Sequence, residues 1–366
     1  MRVVLAPDSF KGTLPARDVA SAIAEGWRSI RPDDDLTLLP LADGGEGTLE
    51  VIAACHDDAR WCTADVLGPD DRVVSAVWLL LADGTAVVEL ARGSGLPLMR
   101  RLDAVKAHTV GFGQLLAAAL RHPDVVRVTA TVGGSASTDG GAGALSALGA
   151  GFLDAGGRPL ARGGGALNRL SVIDTTALRS PPAGGVDVLV DVAAPLLGPR
   201  GAAAEFAPQK GASQDQVDIL ERALHRFSDI VGGDPTEPGS GAAGGAAFGL
   251  RTLWSARLVP GAAELGELVR LADHVASAEL VVTGEGRLDA QSLQGKVVGH
   301  VVQTASVAGR PVWACVGQVR GPVPAGLDSW WALEEIAGSA TDAMANPRRW
   351  LRDAGRAMAS SVRSTR

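Results

Sequence analysis

The sequence predicts an α/β protein with two α/β domains, one built on a parallel sheet and the other of mixed α/β character. The chain has 366 residues, whereas a single domain usually has about 100–200. Apolar runs of strand length alternate with helical patterns, which favours a parallel sheet covered by helices. One pair of β-rich runs is joined by a tight-turn dipeptide, which indicates antiparallel pairing elsewhere in the chain.

The N-terminal part repeats the order strand, polar loop, helix. The run "RVVLA" at residues 2–6 is followed by "PDSFKG" and then by residues 16–30, whose apolar residues recur with helical spacing. Residues 35–42, "DLTLLPLA", form a second predicted strand. The loop "DGGEG" at 43–47 follows and leads into the predicted helix "TLEVIAAC". Two consecutive units of this kind place their strands in one parallel sheet.

The middle of the chain changes character and then returns to the alternation. Residues 71–93 contain two β-rich runs around Asp83-Gly84, the dipeptide of a tight hairpin. A helix is predicted at 105–120, a strand at 125–132 and, after the glycine-rich loop 132–143, another helix. The remaining predictions are three strands and a C-terminal helix with Pro347 near its start, at residues 186–192, 278–284, 310–317 and 345–362.

Composition excludes several classes of function. The net charge of −7 and the lack of a basic run argue against a nucleic-acid partner. No signal peptide and no apolar run of membrane-spanning length can be drawn, so we expect no membrane partner. The three cysteines, Cys55, Cys62 and Cys315, suggest neither a disulfide framework nor a metal cluster. We therefore expect a cytoplasmic protein, a monomer or homodimer, that binds a small molecule.

Polar residues collect where predicted strands end. In open α/β sheets, ligands bind outside the carboxyl ends of the strands, because loops and helix N-termini converge there. The chain places carboxylates and cations after several strands, in excess of what turns require, so we expect one shared site. Its candidates are Asp8, Lys11, Asp43, Glu46, Ser135, Asp139, Asp191, Glu285, Arg287 and Asp289.

The glycine-rich loop "VGGSASTDGGAG" at 132–143 is a candidate phosphate cradle. Free amides at a helix N-terminus after a strand attract anions, and glycines let the backbone approach a phosphate closely. A P-loop is excluded, because "QGKVV" has Val297 where a hydroxyl should bind magnesium. A formal G-x-G-x-x-G at Gly239, Gly241 and Gly244 lacks a preceding strand, so binding of a dinucleotide such as NAD is a minor alternative.

The combination of residues suits phosphoryl transfer. That reaction needs magnesium and cations to hold the phosphates, and a carboxylate to take the proton from the attacking hydroxyl. Only four of 34 basic residues are lysines, and Lys11, Lys210 and Lys296 lie in polar loop motifs. Asp191, at the end of "VDVLVDV", is our predicted base or magnesium ligand, with Asp139 as the alternative.

The motifs "APDSFKGTL", "PLADGGEGT", "GGSASTDGGAG", "PLLGPRGAA", "FAPQKGA", "GSGAAGG" and "TGEGRLDAQSLQGK" resemble, in order, those of the bacterial glycerate kinase family. The resemblance covers essentially the whole chain. It implies an ATP-dependent kinase that phosphorylates glycerate with magnesium. We predict that D-glycerate is the acceptor and that its 2-hydroxyl, rather than the 3-hydroxyl, is phosphorylated, which would give 2-phosphoglycerate. The resemblance also implies a discontinuous Rossmann/flavodoxin-like parallel-sheet domain at 1–60 plus 285–366, an inserted α/β domain at 61–284, and an active site in the cleft between them.

The resemblance and the strand-end rule together assign roles to individual residues. The catalytic candidates are Asp191, Asp139 and Lys11, and the magnesium candidates are Asp191 and Glu285. The acceptor is assigned to Asp8, Ser9, Lys11, Asp43, Arg287 and Lys296. The ATP phosphates are assigned to Gly133, Gly134, Ser135, Ser137, Lys210 and Glu285.

Departures from the family pattern keep other acceptors and functions open. Ala193 and Ala194 stand where the family has an acid and an amide, Thr138 replaces an asparagine, and Gln294 replaces a histidine. Changes in polar partners alter substrate preference strongly, because unmatched buried polar groups are costly. A kinase for a cyclitol or sugar is the main alternative. An inactive regulatory homologue and an NAD-dependent oxidoreductase are the others.

Overall fold

The computed structural model describes residues 1–10, 12–45, 47–289, 292, 296–323 and 325–362. Strands within these ranges are numbered in chain order. They are β1 Arg2–Pro7, β2 Asp35–Leu38, β3 Arg60–Leu67, β4 Val73–Leu80, β5 Thr85–Glu89, β6 Arg127–Thr131, β7 Gly151–Leu153, β8 Val172–Asp174, β9 Val186–Val190, β10 Arg257–Pro260, β11 Leu280–Leu288, β12 Val312–Val319 and β13 Ser329–Ala332.

The α-helices of the same ranges are numbered likewise. They are α1 Ala16–Arg28, α2 Thr48–Cys55, α3 Leu90–Ser94, α4 Val110–Ala119, α5 Ala142–Ala147, α6 Ala202–Phe206, α7 Gln214–Val231, α8 Ala242–Trp254, α9 Gly261–Leu268, α10 Leu271–Ser277, α11 Val297–Val307, α12 Leu333–Ala337, α13 Ala340–Ala345 and α14 Pro347–Ser361. Across the described ranges, no helix is both long enough and apolar enough to span a bilayer.

The chain divides into two compact units. Unit 1 comprises Met1–Asp43, Glu50–Cys55 and Gly261–Arg366, and unit 2 comprises Gly44–Leu49 and His56–Pro260. Residues 261–284, which the sequence analysis assigned to the inserted domain, belong to unit 1. The reason is that β11 pairs with both β1 and β12, so a boundary at residue 285 would cut a central strand.

Unit 1 is built on a five-stranded parallel sheet in the order β13-β12-β11-β1-β2. Counted along the chain within this unit, the order is the flavodoxin-like 2-1-3-4-5. The sequence analysis predicted this parallel arrangement, and it is confirmed. β11 runs on to Leu288, four residues beyond the predicted end at 284, so Glu285 and Arg287 lie on the strand itself. Because strand side chains alternate, these two residues share one face of the sheet.

Helices α1 and α14 pack together on unit 1 through glycines. A Cβ added at Gly26 would overlap the backbone of Arg352, and one added at Gly355 would overlap the backbone of Ile23. The two helices therefore approach backbone to backbone, and the fully buried Trp27 fills the core beside them. The prediction of a C-terminal helix with Pro347 near its start is confirmed, because Pro347 occupies the first turn of α14.

Unit 2 is built on a six-stranded mixed sheet in the order β10-β9-β6-β5-β4-β3. β4 and β5 pair antiparallel around Asp83-Gly84, which confirms the predicted hairpin. β5, β6, β9 and β10 are parallel to one another, and helices pack around aromatic residues such as Phe227 and Phe248, whose ring centroids lie 5.8 Å apart. The predicted helix at 105–120 is shorter and begins at Val110, and the small sheet of β7 and β8 was not predicted.

Candidate active site

A cavity of about 430 Å³ opens in unit 1 at the carboxyl ends of its parallel strands. β1 and β11 are neighbours in the sheet, but β2 lies beyond β1 while β12 and β13 lie beyond β11. This reversal of strand order leaves a crevice between the flanking connections. Open α/β sheets bind their ligands at such a point. The topology therefore marks this cavity as the candidate active site of the unit.

The polar side of the cavity draws on three strands. Asp8 follows β1, Asp43 lies in the loop after β2, and Glu285 lies on β11; these residues are only 7, 3 and 8 % exposed. Asp8 Oδ1 accepts a hydrogen bond from the backbone N–H of Ser9 at 2.6 Å. Arg287 Nε lies 3.3 Å from Asp289 Oδ2. Acidic and basic groups thus share one confined space, as a site for a charged substrate requires.

Another part of the cavity lining is apolar. Leu333 begins α12, Ala343 and Met344 belong to α13, and Pro347 opens α14. Ala340 and Phe10 also line this part. The sequence analysis did not predict this wall, since the C-terminal segment was interpreted only as a closing helix. A signal was available, because "ATDAMANP" brings small and apolar residues into the turn before that helix.

The cavity brings together seven of the residues that the sequence analysis selected, namely Asp8, Ser9, Asp43, Glu285, Arg287, Asp289 and Lys296. Lys11, predicted both to bind the acceptor and to act in catalysis, lies outside the described residues, as do Glu46 and Gln294. Gln318 also lines the cavity, because β12 places it beside Arg287 of β11. This glutamine was not predicted.

The second group of predicted residues lies in unit 2, on the loop between β6 and α5. Lys210 Nζ donates a hydrogen bond to Ser135 Oγ at 3.1 Å and another to the carbonyl oxygen of Ser137. Lys210, Ser135 and Ser137 are 3, 5 and 0 % exposed. Gly133 and Gly134, at the start of the loop, are only partly buried. Lys210 therefore holds the loop from the interior of the unit.

Asp139, on the same loop, has both carboxylate oxygens engaged in hydrogen bonds. Oδ2 accepts from Thr109 N and Thr109 Oγ1, each at 2.9 Å, and from Gly143 N at 3.2 Å. Oδ1 accepts from Gly141 N at 3.3 Å, and the residue is 1 % exposed. Thr109 precedes α4 and Gly141 precedes α5, so one carboxylate joins two helix starts. We propose that Asp139 is structural, which leaves Asp191 as the proposed base.

The same hydrogen bonds bear on the predicted phosphate cradle. A helix N-terminus binds anions through backbone N–H groups that have no partner within the helix. At the start of α5, the N–H groups of Gly141 and Gly143 bond to Asp139, and that of Ala144 bonds to Thr109 Oγ1 at 2.9 Å. Side chains of the protein thus occupy these three donors at the start of α5, whereas Gly133 and Gly134, which the prediction assigned to ATP, lie earlier on the loop.

Burial of Lys210 makes stability depend on pH. Burial lowers the pKa of Lys210 from 10.5 to about 7, and nearby Asp139 opposes this shift. Between these pH values the unfolded chain holds a proton that the folded chain has lost, so the free energy of unfolding rises with pH, by up to about 1.4 kcal/mol per unit. Below about pH 7 both states are protonated and the dependence ends. Urea unfolding between about pH 7 and 9 should show a smaller slope for Lys210→Met; equal slopes would contradict this prediction.

Two carboxylates stand at the carboxyl ends of parallel strands in unit 2. Asp191 directly follows β9, in agreement with its predicted place at the end of a strand, and it is partly buried. Glu89 ends β5, is 1 % exposed, and accepts a hydrogen bond from Gly47 N at 3.2 Å. Arg92 Nε lies 3.7 Å from Glu89 Oε2. Glu89 was not predicted, because residues 71–93 were interpreted only as a hairpin; the strand-end rule would have selected it.

The glycines of the formal G-x-G-x-x-G pattern serve packing within unit 2. A Cβ at Gly241 would overlap the carbonyl oxygen of Pro195, and a Cβ at Gly244, where φ is +65°, would overlap that of Ser137. The strand that a dinucleotide fold requires before this pattern is missing, since β9 ends at Val190 and the described residues up to Gly239 contain no other strand. These glycines permit close backbone contact, so the pattern does not favour dinucleotide binding.

The carboxylates of the cavity could bind Mg²⁺ together with the phosphate groups of a ligand. Mg²⁺ prefers oxygen ligands and usually takes one or two carboxylates together with substrate phosphates and water. Asp8, Asp43 and Glu285 offer such oxygens in the cavity. In the part of the chain that the structure describes, no three His, Cys, Asp or Glu side chains form a metal site by themselves. The predicted ligands Glu285 and Asp191 belong to units 1 and 2, respectively.

Comparison with known proteins agrees with the fold and with the motifs. A sequence profile described as the glycerate kinase family matches residues 3–363. A curated glycerate kinase of Bacillus subtilis (strain 168) is 37% identical, with 99% of this chain and 98% of that protein covered. A glycerate 2-kinase of Escherichia coli (strain K12) is also 37% identical, covering 94% and 93%. A crystal structure from Salmonella typhimurium LT2, provisionally named glycerate kinase 2, has a TM-score of 0.81 at 36% identity over 99% of this chain and 98% of its own. The chain therefore belongs to the glycerate kinase family.

Proposed function

We propose that the protein is an ATP-dependent kinase that phosphorylates D-glycerate to 2-phosphoglycerate. The observation that carries this proposal is similarity over nearly the full length to curated proteins named glycerate kinase and glycerate 2-kinase. The cavity of unit 1 supports it, because carboxylates and cations meet there at the reversal of strand order. The three cysteines are free thiols, which supports the predicted cytoplasmic location.

The proposed reaction is a direct transfer of the γ-phosphoryl group. The 2-hydroxyl oxygen of glycerate attacks the γ-phosphorus, the bond from that phosphorus to the bridging oxygen breaks, and ADP leaves. We propose that Asp191 takes the hydroxyl proton. Bound Mg²⁺ would neutralise phosphate charge, with Glu285 and Asp8 as its protein ligands. Arg287 and Lys296 are the described cations of the cavity that can hold phosphate or carboxylate oxygens.

A panel of acceptors tests the proposed function. ADP release would be measured by a coupled assay with D-glycerate, L-glycerate, simple polyols, hexoses and cyclitols at saturating ATP and Mg²⁺. We expect D-glycerate to give a kcat/KM above about 10⁴ M⁻¹s⁻¹, the low end for typical enzymes. A cyclitol or sugar that exceeds this value while D-glycerate falls far below it would overturn the acceptor and keep the kinase. No turnover with any acceptor would overturn both.

A further inference from the structure

We infer that the cavity of unit 1 holds ATP, with the adenine against the apolar wall formed by Leu333, Ala340, Ala343 and Met344. The inference rests on the proposed function, because it concerns which of the two substrates occupies this cavity. It also moves ATP away from the loop at 133–137, where the sequence analysis placed the phosphates.

The apolar wall matches only one part of the two substrates. Glycerate has three carbon atoms that carry hydroxyls and a carboxylate, so it offers almost no apolar surface. Adenine offers two flat faces that can pack on aliphatic side chains. Met344 lines the cavity yet is 60 % exposed, and Leu333 and Ala343 form its buried floor at 1 and 5 %. Ligand pockets are typically lined by apolar side chains together with a few polar groups, and this cavity has that combination.

The charges and the size of the cavity also favour ATP accompanied by Mg²⁺. Among the lining residues that the structure describes, the carboxylates Asp8, Asp43, Glu285 and Asp289 outnumber the cations Arg287 and Lys296. A free glycerate carboxylate would meet like charges there, whereas Mg²⁺ on the phosphates brings the opposite charge. The volume of about 430 Å³ lies within the range of about 300–1,000 Å³ that encloses ligands larger than a three-carbon acid.

The alternative site on the loop between β6 and α5 offers fewer binding groups than the sequence suggested. Ser135, Ser137 and Lys210 are buried and bonded to one another. The N–H groups of Gly141 and Gly143 bond to Asp139. Phosphate binding there would have to replace these internal hydrogen bonds. The cavity of unit 1 already provides an open space of about 430 Å³, so the cavity is the favoured location of the nucleotide.

The test separates the two substrates with a variant that fills the apolar end. Ala340→Phe adds a ring where the adenine would lie, and Val307→Phe, on an 87 % exposed residue of α11 in the same unit, is the matched control. Binding of a fluorescent N-methylanthraniloyl ADP with Mg²⁺ would be titrated without acceptor. KM values for ATP and D-glycerate, and inhibition by magnesium tripolyphosphate, would be measured on the same proteins.

We expect Ala340→Phe to raise the Kd of the labelled ADP and the KM for ATP at least about tenfold, which corresponds to 1.4 kcal/mol. Inhibition by tripolyphosphate, which has no base, and KM for D-glycerate should change less than about twofold. Val307→Phe should leave all four values unchanged. If Ala340→Phe does not fold, Met344→Asp should likewise raise the Kd of the labelled ADP and the KM for ATP, with Val307→Asp as its control.

Two results would overturn the inference and leave the proposed function standing. One is a rise in KM for D-glycerate with an unchanged Kd for the labelled ADP, which would assign the cavity to the acceptor. The other is a wild-type protein that binds ADP and turns over D-glycerate while the variants change neither. A third result would separate the two proposals in the other direction. If the variants bind ADP more weakly but the wild-type protein does not phosphorylate D-glycerate, the inference about ATP is supported and D-glycerate is overturned as the acceptor.

Discussion

Asp191→Asn is expected to lower kcat with D-glycerate at least about a hundredfold while the protein remains folded. Loss of a positioned general base typically costs a factor of 10²–10⁴, and an amide cannot take the proton of the attacking hydroxyl. Asp191 follows the central strand β9 and is only partly buried, so the fold should tolerate a side chain of the same size. The measurement is steady-state kinetics together with urea unfolding of the variant.

The matched control is Asp234→Asn in the same unit. Asp234 is exposed and accepts hydrogen bonds from Thr236 N at 2.8 Å and Thr236 Oγ1 at 2.6 Å, outside the cavity and away from any strand end. Its kcat should equal that of the wild type. A folded Asp191→Asn with near-normal turnover would remove the proposal that Asp191 is the base.

Asp139→Asn, in contrast, should mainly affect stability and lower the free energy of unfolding by about 2–3 kcal/mol, because buried donors that lose a charged acceptor cost about 1–3 kcal/mol. An asparagine keeps one acceptor oxygen, but its NH₂ group would face donors that now bond to a carboxylate. Those donors are the N–H groups of Thr109, Gly141 and Gly143 and the hydroxyl of Thr109. Urea unfolding would measure the loss.

Asp174→Asn provides the comparison for this stability effect. Asp174 Oδ1 also accepts from the N–H and the hydroxyl of one threonine, Thr176, at 2.9 and 2.7 Å, but the residue is exposed. Surface substitutions usually change stability by less than about 0.5 kcal/mol. If both variants lose the same free energy of unfolding, burial of Asp139 adds nothing to the stability of the protein, and its proposed structural role is contradicted.

Asp139 and Asp191 show which features of the site could be predicted from the sequence and which could not. The rule that polar residues after parallel strands share a site placed Asp8, Asp43 and Glu285 correctly in one cavity. The same rule could not rank Asp139 against Asp191, since both follow a strand. The difference lies in the backbone N–H groups of Thr109 and Gly143, which converge on Asp139 only when α4 and α5 are packed together. That convergence has no local signature.

The apolar wall was missed for a related reason. The pattern around α13 indicates a short helix with small residues, and small residues are equally compatible with packing against another helix and with facing a cavity. Which of these occurs depends on where β1 and β11 end, and those strands are about 275 residues apart in the chain. Strand pairing of that range is set by the whole fold, whereas the Asp83-Gly84 hairpin is local and could be predicted.

The pairing of β1 with β11 and the packing of α1 on α14 also set the order in which the protein can form during translation. Most of unit 2, His56–Pro260, is contiguous and is translated before β11. At about 5–20 residues per second, β1 and α1 wait on the order of tens of seconds for their partners. Until then Trp27 lacks the core that buries it, so the nascent chain carries an exposed apolar segment for as long as the rest of unit 1 is unmade.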